Sequence, residues 1–71
     1  MPYIQVRITR EGVTTQQKRE VIHGVTQVMV DVLGKNPETT FVVIEEVPLE
    51  NWGIGGDSVS ERRKRDRPES Q

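Results

Sequence analysis

The chain has 71 residues, ten basic and eleven acidic, no cysteine and a single histidine, and a formal net charge of −1. That length points to one small domain, too short to bury a large core by itself. The composition excludes disulfides and any cysteine–histidine metal cluster, so oligomerisation is the remaining way to staple the fold. The near-neutral total hides an asymmetry: residues 1–60 carry five basic against eight acidic side chains, whereas residues 61–71 carry five against three. The body is mildly acidic and does not point to nucleic acid. No apolar run approaches the roughly 20 residues of a membrane span, and no secretory pattern is visible. The expectation is a soluble cytoplasmic protein with no membrane partner.

The first residues read Met1-Pro2. Methionine aminopeptidase removes an initiator methionine that precedes a small side chain, which would leave Pro2 as a free secondary amine. Next, "YIQVRIT" alternates, with Ile4, Val6 and Ile8 on one face and Tyr3, Gln5, Arg7 and Thr9 on the other. This is the period of a strand with one apolar side. "REG" breaks the pattern, and Gly12 supplies a turn. Thr14 followed by Gln17 has capping-box spacing. Val21, Ile22, Val25, Val28, Met29, Val32 and Leu33 then recur at steps of three and four, predicting a helix that Gly34 ends and Pro37 keeps from resuming.

"TTFVVIEEV" predicts a second strand, with Phe41, Val42, Val43 and Ile44 apolar on both faces. A strand, a helix and a strand form a βαβ unit, so the two strands are expected to be parallel with a right-handed crossover. In "PLENWGIGGDSVS" the turn-rich composition and the glycines around Ile54 predict a short hairpin or flap carrying Trp52. From Glu61 onward apolar content is low, and residues 61–71 read as a basic, disordered tail beyond a domain spanning residues 2–60. Two strands and one helix leave a sheet face bare and edges unpaired, so a homo-oligomer is expected.

Several residues could carry chemistry. An α-amino group has an unperturbed pKa of about 8. Burial or a neighbouring arginine would lower it, making Pro2 a general base near neutrality. By itself, Pro2 is more often only a processed end. Arg10 lies eight residues further along the same strand, about 26 Å away at ~3.3 Å per residue. It could therefore serve only a neighbouring chain's Pro2, and its ordinary role is that of a solvated turn residue. Phe41 falls at the Pro2 end of parallel strands, where an aromatic wall would exclude water, although core packing explains it equally well. Trp52 on the flap could close over that end or over a neighbour's. "GIGG" lacks phosphate-loop spacing. Glu45 and Glu46 are adjacent and so point to opposite faces. His23 sits beside the apolar helix stripe, where a structural place is the simpler account. "RRKR" is most simply a solvated run.

Taken together, Pro2, the βαβ pattern, the "EG…QK" helix start and "ENWGIGG" at Glu50 to Gly56 resemble the 4-oxalocrotonate tautomerase family over residues 2–60. The resemblance implies an α/β fold: a single β-α-β subunit with a short C-terminal hairpin, assembled as a hexamer built from a trimer of dimers. It further implies an isomerase without metal or organic cofactor. Pro2 would be the general base for enol–keto isomerisation of a 2-oxo or 2-hydroxydienoic acid, arginines from neighbouring subunits would hold the carboxylate, and Trp52 would wall the pocket. The family pattern "EGR" is here "EGV", so Val13 stands where an arginine would, and Arg10 is the nearby substitute. A second family arginine aligns with Phe41. One arginine and two aromatics would suit a less charged or more apolar acid. The alternatives are a hydratase, dehalogenase or decarboxylase of the same superfamily using proline as an acid, or a non-catalytic oligomeric binding protein.

Overall fold

The computed structural model describes residues 1–66. Its centre is a pair of seven-residue strands, β1 (Tyr3–Thr9) and β2 (Phe41–Val47), joined through the helix α1 (Thr15–Leu33). The strands are parallel and in register from Tyr3 opposite Phe41 to Thr9 opposite Val47. The expected βαβ unit is thus present, and the parallel arrangement sets the start of β2 beside the start of the chain.

Local chemistry fixes the helix ends. Thr14 Oγ1 accepts the Gln17 N–H at 3.1 Å, and Gln17 Oε1 accepts the Thr14 N–H at 2.9 Å, a reciprocal capping box. At the other end Gly34 adopts the left-handed conformation with φ +66°, and its N–H reaches the Val30 carbonyl at 3.0 Å.

The alternation read in β1 is real: Ile4, Val6 and Ile8 are half-buried, whereas Tyr3, Gln5 and Arg7 are exposed. The half-buried face is the one α1 covers, since Lys18 of the helix pairs with half-buried Glu46 of β2. Glu45 points the other way, accepting from Gln5 Nε2 at 2.9 Å and pairing with Arg7 at 3.0 Å. The two adjacent glutamates therefore serve opposite faces. Tyr3, Phe41 and Val43 lie open on the uncovered side, at 59%, 48% and 44% exposure.

A short 3-10 turn, Leu49–Asn51, leads into a hairpin of β3 (Gly53–Ile54) and β4 (Asp57–Ser58). Its turn residues Gly55 and Gly56 have φ +60° and +94°, values that side-chain-bearing residues rarely adopt. The chain then departs from expectation. Residues from Glu61, read in the sequence as a tail without structure, are helical through Asp66 in α2 (Val59–Asp66); residues 67–71 of that tail lie outside the described residues. Ser58 Oγ accepts the Glu61 N–H at 3.2 Å at the start of α2. Arg65 pairs with Asp57 at 2.7 Å, and Arg63 pairs with Glu11 at 2.7 Å, which ties α2 to the loop after β1.

Among the described residues only Val59 is buried. A lone subunit therefore encloses almost no core, and its apolar surface is spread over the open sheet face and α1, where Val28, Val32 and Leu33 are 51%, 72% and 57% exposed. Among the described residues no helix is long and apolar enough to cross a membrane, and no cluster of metal-ligating side chains occurs.

Candidate active site

The four residues singled out in the sequence divide between the two ends of the sheet. Pro2 and Phe41 occupy one end. The Phe41 N–H donates to the Pro2 carbonyl at 2.9 Å, extending the ladder one residue before β1 begins. A proline fits there because the strand's first position asks nothing of its missing N–H. Pro2 is half-buried and Met1 is 80% exposed, so the leading methionine is not part of any packed structure. While Met1 is attached the Pro2 nitrogen is an amide without basicity. Removal of Met1 would convert that atom to a secondary amine at the start of β1, one ladder hydrogen bond from Phe41.

Arg10 and Trp52 occupy the opposite end. The Arg10 N–H donates to the Val47 carbonyl at 2.8 Å, continuing the ladder past Thr9, and its side chain is exposed. Trp52 is half-buried at the base of the hairpin. Its N–H donates to Leu49 at 3.3 Å and its carbonyl accepts the Val59 N–H at 2.7 Å, so the residue is held between the 3-10 turn and the first turn of α2. The indole lines a cavity of about 440 Å³ together with Ile8, Ile54, Val59, Arg62 and Arg63. Ile8 lies six residues beyond Pro2 on an extended strand, or about 20 Å. Trp52 therefore does not close over the Pro2 of its own chain. A second groove, bordered by Arg7, Glu45 and Asn51, shares Trp52 on the open-face side.

Sequence reasoning missed Arg62 and Arg63, which it placed in an unstructured tail. Their signal was available in the Ser58-x-x-Glu61 spacing, an N-terminal helix signature. Arg63 is engaged by Glu11, and that guanidinium, helped by the Thr9 hydroxyl, holds the Glu11 carboxyl below its usual value of 4.5; Arg63 is raised in turn.

The arrangement is thus two half-sites. One end offers an amine position with an aromatic neighbour. The other offers an apolar cavity with indole and guanidinium groups. The sequence matches the family model described as "Tautomerase enzyme" over residues 2–62. The chain belongs to the tautomerase family. It is thereby a member of an isomerase family, with the β-α-β fold that the sequence suggested. Among its relatives, a probable tautomerase K2 from Dickeya dadantii is 61% identical over 64 residues, covering 90% of this chain and 96% of that one. A 2-hydroxymuconate tautomerase from Pseudomonas putida is 44% identical over 61 residues, covering 86% and 95%. Among solved structures, a 4-oxalocrotonate tautomerase isozyme from Methylibium petroleiphilum superimposes with a TM-score of 0.75 at 47% identity, covering 83% of this tautomerase and 94% of that chain.

Proposed function

We propose that the protein catalyses enol–keto isomerisation of a 2-oxo or 2-hydroxydienoic acid, with Pro2 as the general base once Met1 has been removed. The observation that carries this reading is the placement of Pro2 and Phe41 at one end of the parallel pair and of Arg10 and Trp52 at the other. A working site then draws on more than one copy: the amine and Phe41 from one subunit, Arg10 and Trp52 from another. The open face and the exposed residues of α1 support the same assembly, and a hexamer of paired dimers is the form proposed.

In this scheme the free amine takes a proton from the enol hydroxyl or from an activated carbon and returns it to another carbon. The ammonium is disfavoured by the aromatic wall and by the neighbour's arginine, which keeps the nitrogen basic near neutrality. Arg10 binds the carboxylate or the developing enolate oxygen. No metal or organic cofactor enters the scheme.

The test is ketonisation of 2-hydroxymuconate and phenylenolpyruvate by protein whose intact mass shows Met1 removed. Pro2→Ala is expected to slow the reaction by roughly 10²–10⁴-fold. An unchanged rate would exclude Pro2 as the base.

A further inference from the structure

The cavity beneath Trp52 holds a guanidinium with no carboxylate partner among the described residues. Of the three arginines of α2 within the described residues, Arg63 is paired with Glu11 and Arg65 with Asp57. Arg62 has no ion-pair partner among the described residues, and it is half-buried. It reaches from α2 toward the hairpin turn, where its Nη1 would lie 3.8 Å from a Cβ built on Gly55. Ile8, Trp52, Ile54 and Val59 form the apolar part of the cavity wall, and Thr9 and the Glu11-paired Arg63 complete it.

A largely apolar cleft in which one of two guanidinium groups is not engaged by a carboxylate among the described residues is built to take a ligand with an apolar body and an anionic head. The guanidinium fork suits a carboxylate, and partial desolvation by Ile54 and Val59 strengthens the pair. We infer that Arg62 is a specificity-determining residue: it binds a carboxylate at the end of an unsaturated acid whose planar body lies against Trp52. The inference rests on the tautomerase reading of this site. It replaces the sequence expectation of a pocket with one arginine, since the Trp52 half-site gains a cation that the tail was not expected to supply. The preferred acid then carries a carboxylate on the Trp52 side in addition to the one beside the reacting centre.

Trp52 is the only tryptophan in the chain, so its fluorescence reports on the surroundings of this one side chain, and the Arg62 variants assign the signal to this cavity. The probes are trans,trans-muconate and sorbate, which share a six-carbon diene acid and differ in a second carboxylate against a methyl group. The wild-type protein is expected to bind muconate roughly 10–100-fold more tightly than sorbate, the value of one charge-assisted contact. Arg62→Gln should bring that ratio close to one while leaving sorbate affinity nearly unchanged. If Arg62→Gln does not assemble, the ratio is read in Arg62→Lys, which keeps the charge and should keep part of the preference. A wild-type ratio near one, or a ratio that survives Arg62→Gln or collapses fully in Arg62→Lys, overturns the assignment. Binding needs no proton transfer, so the two readings separate. Full activity in Pro2→Ala would sink the base while leaving Arg62 in place, and an Arg62-independent ratio would do the reverse.

Discussion

If each site takes its amine from one copy and its arginine from another, two inactive variants should restore each other. The pair to mix is Pro2→Ala and Arg10→Ala. Neither substitution threatens the fold: Pro2 contributes a carbonyl to the ladder, and Arg10 contributes its N–H, with an exposed side chain. Each homogeneous variant should be strongly impaired, Pro2→Ala by roughly 10²–10⁴-fold. When the two are unfolded, mixed in equal amounts and refolded, a site is intact only if its amine comes from an Arg10→Ala chain and its arginine from a Pro2→Ala chain. Random assembly meets both conditions in about one quarter of sites when two different chains contribute. A single chain spans about 26 Å between the two residues, so within one copy the expected recovery is nil. The assay is the initial rate of 2-hydroxymuconate ketonisation at fixed total protein. A mixture no faster than the mean of its two components would refute the shared site.

Three further outcomes follow from the structure. Thr14→Ala removes one arm of the capping box and should cost about 1 kcal/mol, read as a lower Tm at constant protein concentration. Gly56→Ala places a side chain at φ +94° where no atom lies within 4 Å, so the loss of about 1–2 kcal/mol reflects backbone conformation alone; a thermal scan that matches wild type would show that the turn can relax. The Glu11 carboxyl is held below 4.5 by Arg63 first and by the Thr9 hydroxyl second. A depressed acid contributes stability that is complete above its unfolded value and is lost as pH falls through its folded one. Trp52 emission should therefore hold steady from neutrality down to about pH 4.5 and shift below it, and in Glu11→Gln the part of that shift owed to this pair should vanish.

Much of the fold was legible in the sequence because its signals are local. The alternation of Ile4, Val6 and Ile8 follows from strand geometry, and the ends of α1 follow from Thr14, Gln17 and Gly34. The Gly55-Gly56 turn likewise announces a hairpin. The second helix was legible only at its start, in the Ser58-x-x-Glu61 spacing. Its residues are mostly charged, and its order comes from partners distant in sequence, since Arg63 meets Glu11 fifty-two positions away and Val59 is buried where the hairpin and the 3-10 turn converge. Composition cannot reveal such pairs. The candidate site divides along the same line. The separation of Pro2 from Arg10 needed only strand length, whereas the side to which Trp52 belongs, and the arrival of Arg62 beside it, needed the tertiary path of the hairpin.

In a sheet of two strands, every strand is an edge. Both seven-residue strands, β1 and β2, present outward amides and carbonyls at alternate residues on the edge away from their partner. Such margins are hazards in a protein that remains alone, because they invite any extended segment to add itself. Here the same margins would make the solitary subunit a transient species. Maturation would then be a second-order event, sensitive to dilution and to the rate of synthesis, and the usual distinction between folding and recruitment would lose its meaning.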